Sequence, residues 1–387
     1  MRSGGPATPV PTEREFSVNG PLTTVKLPMS LHPLEKKFLE VFSAERRGNW
    51  PIVIALSGGP DSVALFHLVR RTHPSNAGPL VVVHVNHQLR DEESEEDARF
   101  CAELARQAGV AFRLFVRPVR EENTPGLGIE AAARRLRYQA LREAAEEAGA
   151  RYVLTGHTAN DQAETILYRV FRGTGLRGLC GIPRSRPFGP GALLRPLLGI
   201  FREELLHYLH DHNWDYRCDR TNESTDFARN CIRHVIFPEA VRGVHPAAVE
   251  GVLRVGLNAQ DAWAFLECVV NEAITDSLVS QSPTEVVIRR DAVAGRHPFV
   301  VQQMVLELWR RQQWPLRKLT RTHLLQLTEL MRGDSPPPCR HFPGAVEIRF
   351  SEKHVILARP AELQSPPAPS DQPEDEELGG ADLGIDT

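Results

Sequence analysis

No stretch of this 387-residue sequence approaches the roughly 18 consecutive apolar residues of a membrane-spanning helix. The first residues lack an apolar export core, so neither a membrane protein nor a secreted one is indicated. Cysteine is sparse. Cys101, Cys180, Cys218, Cys231, Cys268 and Cys339 contain no Cys-x-x-Cys pair, which argues against a zinc knuckle, an iron–sulfur centre or a thiol relay. A reduced, cytoplasmic setting is expected. Charge of either sign is not in large excess, with 46 bases against 49 acids. Eight of those acids lie after residue 359 with no base among them, so the rest of the chain carries 46 bases against 41 acids. A mildly basic body is compatible with nucleic-acid binding without requiring it.

What is present is concentrated in residues 52–62, Ile-Val-Ile-Ala-Leu-Ser57-Gly58-Gly59-Pro60-Asp61-Ser62. An apolar, partly β-branched run enters a turn of small and capping residues. That pattern predicts a buried strand, a tight loop and a helix starting at Asp61 or Ser62 and running to Arg71. Gly58 and Gly59 permit positive φ and close backbone approach. Ser57 and Ser62 add hydroxyls, and the helix start aims free N–H groups at the loop. Such a loop cradles an anion, most simply a phosphate. A βα turn that binds nothing is the plainer reading. No lysine follows, so this is not a Walker A loop, nor is it Gly-x-Gly-x-x-Gly. The motif resembles the PP-loop of the N-type ATP pyrophosphatases. That resemblance implies cleavage of ATP between its α- and β-phosphates, adenylation of a carbonyl oxygen and displacement of AMP.

Strands and helices then alternate. Leu80–His87, Ala111–Val119 and Arg151–His157 read as strands, and Ala192–Leu198 as a further apolar stretch. Asp91–Gly109 reads as a helix with Ser94 as N-cap and Asp97 three residues on. Ile129–Gly149 reads as a long helix, and Asn160 or Asp161 caps another through Arg172. Phe201–Asn213 follows, while Leu31–Arg47 is an amphipathic helix ahead of the first strand. These repeats predict an α/β fold, a parallel-sheet nucleotide-binding domain covered by helices on both faces, over residues 29–240. Ligands bind beyond the carboxyl ends of such strands, where Ser57–Ser62, His84–His87 and His157–Glu164 would all fall. Phe188–Gly191 reads as a surface turn. Residues 245–359 predict a smaller C-terminal α+β module: one or two helices over Ala247–Leu278, a strand at Glu285–Arg290, helices at Phe299–Gln312 and Thr320–Arg332, and a hairpin over Pro343–Arg359. Ser335–Pro338 is a stiff break. Residues 1–28 are expected to be a disordered leader and 360–387 a disordered acidic tail.

The second informative stretch is His157-Thr-Ala-Asn160-Asp161-Gln-Ala-Glu164-Thr165. Asp161 and Glu164 stand three apart at a helix start and share a face. Two carboxylates and an imidazole at a phosphate edge suit Mg²⁺, which prefers oxygen ligands shared with phosphate. A solvated acidic first turn is the bland alternative.

With these stretches stand His84-Val-Asn-His-Gln-Leu-Arg90, Gly128-Ile-Glu-Ala-Ala-Ala-Arg134, Arg172-Gly-Thr-Gly175, Gly178-Leu-x-Gly181, Arg195-Pro-Leu-Leu, Thr221-Asn222 and Arg229-Asn230-x-Ile-Arg233. In this order they resemble the tRNA(Ile)-lysidine synthetase family over roughly residues 50–240. The resemblance implies that ATP adenylates the C2 oxygen of a wobble cytidine in tRNA(Ile) with anticodon CAU. L-lysine then attacks C2, giving lysidine, AMP and pyrophosphate. ATP would lie on Ser57, Gly58, Gly59, Pro60, Asp61 and Ser62. Mg²⁺ would lie on Asp61 and Asp161, although Asp61 also reads as a plain N-cap. Asp61, Arg134, His157, Asp161 and Glu164 would form the catalytic set.

Arg134 could hold phosphate oxygens in a bidentate fork, or be a solvated helix arginine. His157 would contact the α-phosphate or substrate. Glu130 and Glu164 would meet lysine, although a first-turn dipole role suits Glu130 equally. Arg229, Asn230 and Arg233 suit RNA backbone contacts, although a solvated loop capping a helix suits that stretch too. His84 and His87 read as strand-end structure. Pro60 departs from many family members. Larger relatives carry two further tRNA-holding domains, whereas here 245–359 resembles them weakly. A homodimer is compatible with this reading. A thiolase-like PP-loop enzyme would call for paired cysteines, and an amidotransferase for a glutaminase domain. A non-catalytic ATP- or RNA-binding module would not need Asp61, Asp161 and Glu164.

Overall fold

The structure, a computed structural model, describes residues 31–89, 91–119, 128–217, 228–316, 319–333 and 337–363. The expected leader, Arg90, residues 218–227 with Thr221 and Asn222, Ser335-Pro336 and the tail from 364 lie outside the described residues. Two compact units interleave along the chain. One comprises residues up to Gln162 together with Pro183–Asn230, the other Ala163–Ile182 with Cys231 onward.

Among the described residues the first unit holds six strands: β1 (Ile52–Ala55), β2 (Leu80–Asn86), β3 (Ala111–Val116), β4 (Tyr152–Leu154), β5 (Ser185–Phe188) and β6 (Gly191–Leu194). Their order is β3-β2-β1-β4-β6-β5. All neighbours are parallel except β5, which pairs antiparallel with β6. Helices α1 (Pro33–Val41), α2 (Ala44–Arg47), α3 (Pro60–Arg71), α4 (Asp91–Ala108) and α5 (Ile129–Ala148) follow in chain order, and α6 (Ala159–Phe171) passes from this unit into the second at Ala163. Successive β1 side chains serve opposite faces. Ile52 and Ile54 pack with Val63, Phe66 and Leu205, and Val53 packs with Tyr138, Leu141 and Ala145. Both faces are therefore buried, as a parallel strand requires. Truncating either isoleucine to alanine carries a typical cost of about 2–5 kcal/mol.

The second unit contains the short α7 (Leu176–Leu179). Helix α8 (Arg202–Asp211) belongs to the first unit. Short α9 (Ala228–Cys231) leads into a π-helical turn, Ile232–Ile236, and then α10 (Phe237–Gly243). Pro238 has no N–H to give the His234 carbonyl, which accounts for the widened turn. A single 30-residue helix α11 (Ala248–Ser277) follows. Then come α12 (Asp291–Ala294), α13 (Pro298–Arg311) and α14 (Arg321–Arg332). An antiparallel sheet in the order β7-β8-β11-β10-β9 is built from β7 (Leu278–Gln281), β8 (Glu285–Arg289), β9 (Cys339–Phe342), β10 (Val346–Phe350) and β11 (His354–Ala358). Val286, Ile288, Val346, Ile348, Val355 and Leu357 alternate inward onto Met304, Leu308 and Trp309. No helix among the described residues is long and apolar enough to cross a membrane.

Several expectations change. The Leu31–Arg47 helix is broken at Phe42-Ser43, where Ser43 starts α2. Helix α3 begins at Pro60, one residue earlier than read, because Pro at the first position loses no hydrogen bond there. Ser94 lies inside α4 rather than capping it. Helix α6 begins at Ala159, and Thr158 precedes it where Asn160 or Asp161 was expected. Phe188 is a buried strand residue, not part of a surface turn, so an antiparallel hairpin ends the otherwise parallel sheet. Its ring packs against Tyr138, which a local reading of Phe-Gly-Pro-Gly does not reveal.

One buried base has a measurable consequence. His67 of α3 stacks on Trp214 with ring centroids 3.6 Å apart, and is 4% exposed. Burial, aided by Arg70, His212 and Arg71, pushes it down to about 3. The unfolded chain therefore takes up a proton near the ordinary imidazole value that the native chain refuses. Stability falls with pH below that value. Between neutral and about pH 5 this single group should remove about 2 kcal/mol. Denaturant titrations at the two pH values should show that loss shrinking in His67→Phe; an unchanged loss would contradict the assignment.

Candidate active site

The loop between β1 and α3 is held by its own serines. Ser62 Oγ donates to the Gly59 carbonyl at 2.9 Å and accepts from the Ser57 N–H at 3.2 Å. Its proton is thereby placed, so Ser57 Oγ is the donor in the 3.0 Å contact between the hydroxyls. Gly58 adopts φ +91°, outside the comfortable range of residues with a side chain. The Gly58 carbonyl accepts from the Arg217 N–H at 2.9 Å. The Arg217 guanidinium in turn bridges Asp97 at 2.9 Å and Glu96 at 2.7 Å, both on α4. Cys101 lies under the loop as a buried thiol, pushed up by that burial. It is unsuited to nucleophilic work.

Above the loop opens a cleft of about 660 Å³. Ser57, Asp61, Ser62, His157 and Asp161 line it, together with Asn86, Asp97, Arg137 and Tyr138. Asp61 sits half-buried in the first turn of α3, with Arg202 Nε 3.7 Å from Oδ1. Gly156, at the end of β4, brings that strand against the helix start. A Cβ there would stand 3.1 Å from the Asp61 carbonyl and 3.2 Å from the Ser62 nitrogen. Gly156→Ala should therefore displace Asp61 by a few tenths of an ångström. Steady-state kinetics should show turnover lower by about tenfold, with a stability loss of about 1–3 kcal/mol by denaturant titration. Unchanged turnover would show that the helix start tolerates the shift.

His157 Nδ1 lies 3.0 Å from Thr155 Oγ1. Burial, reinforced by the guanidiniums of Arg195, Arg134, Arg137 and Arg229, holds the imidazole well below its usual range. It is neutral at physiological pH and can donate or accept one hydrogen bond. The four arginines make that side of the cleft attractive to anions. Asp161 Oδ2 accepts from the Thr158 N–H at 2.7 Å and the Thr158 hydroxyl at 2.9 Å, so Asp161 both fixes the start of α6 and faces the cleft. His84 Nδ1 lies 2.8 Å from the Leu56 carbonyl and His87 Nδ1 lies 3.2 Å from that of Arg117. Burial lowers both rings, so each is a neutral donor tying strands together.

The other expected residues are distributed differently. Arg134 lies half-buried on α5 with its guanidinium 5.0 Å from the Tyr138 ring. Glu130 is exposed in the first turn of α5. Arg229 and Asn230 are half-buried on α9. Within the second unit, buried Glu164 receives a two-pronged pair from Arg233, with Nε at 2.6 Å and Nη2 at 2.9 Å. Glu164 is not among the residues lining the cleft. Tyr138, Arg202 and Arg217 were not singled out from the sequence, and Asn86 and Arg195 stood only within the His84–Arg90 and Arg195-Pro-Leu-Leu stretches, with no role assigned. Asp97 was visible only as a helix residue, and Arg202 and Arg217 reach the site from segments without a motif of their own.

The PP-loop domain family model matches residues 30–240. A tRNA(Ile)-lysidine synthase of Bacillus cereus is 30% identical over 321 residues, 81% of this chain and 67% of that protein. One of Symbiobacterium thermophilum is 42% identical over 202 residues, 52% of this chain and 42% of that protein. One of Porphyromonas gingivalis is 39% identical over 221 residues, 57% of this chain and 47% of that protein. The loop, the strand order and these matches agree, and the chain belongs to the tRNA(Ile)-lysidine synthase family of PP-loop proteins.

Proposed function

We propose that this chain ligates L-lysine to C2 of the wobble cytidine of tRNA(Ile) with anticodon CAU, at the expense of ATP. The observation that carries this reading is the single cleft that collects the Ser57–Ser62 loop, Asp61, His157 and Asp161 beyond the carboxyl ends of β1, β2 and β4. The C2 carbonyl oxygen attacks the α-phosphorus and the bond to the β-phosphate oxygen breaks, releasing pyrophosphate. A lysine amine then bonds to C2, loses a proton, and the C2–O bond breaks with AMP as leaving group. Loop N–H groups and the Ser57 and Ser62 hydroxyls hold phosphate. Arg134 and the neighbouring guanidiniums offset charge that grows as pyrophosphate departs. Neutral His157 donates to the α-phosphate or substrate rather than acting as a cation.

Two carboxylates on one cleft fit a hard divalent ion, and Asp61 and Asp161 would hold Mg²⁺ there. Bound, it would neutralise pyrophosphate. Glu130 and Glu164 are assigned to lysine, and Arg229, Asn230 and Arg233 to the tRNA. Residues 29–240 form the catalytic domain and 245–359 the tRNA-contacting module. The protein would work in the cytoplasm, and a homodimer is compatible with this scheme. Pyrophosphate should form once ATP and the tRNA are supplied, whereas AMP should form only when lysine is supplied as well. Equal AMP release without tRNA, read by chromatography, would overturn the assignment.

A further inference from the structure

A second cluster of chemistry-bearing side chains lies on the antiparallel sheet. Cys339 and His341 alternate along β9, so both emerge on one face. The ladder sets Glu347 of β10 directly opposite His341, and Arg349 opposite Cys339. The other face carries Phe342, Val346 and Ile348 into the core. Cys339 and Glu347 are half-buried and His341 is exposed. One donor atom from each of the three lies within 4.8 Å of the other two.

We propose that Cys339, His341 and Glu347 form a binding site for a zinc-class divalent ion, with three protein ligands and a fourth position open to water. The donor set decides the class. One thiolate, one imidazole and one carboxylate suit zinc, whereas Mg²⁺ and Ca²⁺ take oxygen ligands. Antiparallel pairing fixes the spacing, because residues directly opposite keep their Cβ atoms about 4.5–5.5 Å apart. At present the Cys339 thiol donates to Glu347 Oε1 at 3.1 Å. That bond, with some burial, pushes the thiol up. Binding the ion releases this proton to solvent and turns thiolate and carboxylate onto one centre. Arg349 opposes a cation nearby, but its guanidinium pairs with Glu285 of β8 at 3.0 Å and is partly neutralised.

A cross-strand thiol–carboxylate bond alone leaves His341 without a part, whereas a metal site employs all three. The site would also bolt edge strand β9 to β10. The absence of Cys-x-x-Cys excludes a knuckle but not this pattern, which combines alternate positions of one strand with a carboxylate across the ladder.

The test uses the full chain, loaded with Zn²⁺, passed through gel filtration and analysed for metal. Wild type and Cys268→Ser, which removes an exposed thiol elsewhere, should each retain one equivalent. Cys339→Ser and His341→Ala should each lose it while keeping the wild-type circular dichroism. Zinc should raise the melting temperature of wild type but not of these two variants. Co²⁺ loading should give a thiolate-to-metal absorption in the near ultraviolet that is absent from Cys339→Ser. Wild type retaining no zinc would overturn the proposal, as would equal retention by both variants. Should Cys339→Ser fail to fold, His341→Ala decides, since its exposed side chain supports no core.

Discussion

Asp161→Asn is expected to abolish turnover, by at least about 10²–10³-fold, while the protein stays folded. The asparagine retains a carbonyl oxygen that can accept from the Thr158 N–H and hydroxyl, as Oδ2 of Asp161 does at 2.7 and 2.9 Å. The start of α6 therefore keeps its cap, and the stability change should stay within about 1 kcal/mol. What is lost is the negative charge facing the cleft beside the phosphate loop. Turnover and the denaturation midpoint, measured on the same preparation, separate the two roles. Wild-type turnover would remove Asp161 from the metal and reduce it to a capping residue. Lost turnover with a large stability loss would show that the substitution had reached the fold.

Arg233→Met should destabilise the protein by about 3–5 kcal/mol, because it deprives a buried carboxylate of its guanidinium. The Glu164 side chain is 5% exposed, and Arg233 approaches both of its oxygens. Adding Glu164→Gln removes the buried charge that Arg233 balances, so the double variant should recover most of the lost stability. Turnover should not recover if Glu164 handles lysine as proposed. The double-mutant cycle then separates chemistry from packing. Recovery of turnover together with stability would make the pair a structural bolt between α6 and the π-helical turn.

The loop and its flanking elements were legible because their determinants are local. A β-branched run, two glycines and a Ser/Asp helix start are adjacent in the sequence, and the cleft forms where they predict it. The alternation of Val346, Ile348, Val355 and Leu357 likewise placed the C-terminal hairpin. Features set by distant partners were not legible. Phe188 is buried against Tyr138, which lies 50 residues earlier, so its segment read as an exposed turn. Arg217 earns its place by holding Gly58 and the acids of α4, and nothing in its own neighbourhood signals that. Strand β7 follows α11 directly and β9 follows a proline run. Both are strands because β8 and β10 offer hydrogen bonds, not because their own residues demand it. The neutrality of His157 was also hidden, since the four guanidiniums around it come from three separate stretches of chain.

The most direct measurement is incorporation of radiolabelled lysine into unmodified tRNA(Ile) bearing CAU, with ATP and Mg²⁺. Label should enter the tRNA in step with AMP, one for one, and none should enter when ATP is omitted. AMP formation without lysine in the tRNA would contradict the proposed ligation, as would label that enters without AMP or no reaction at all.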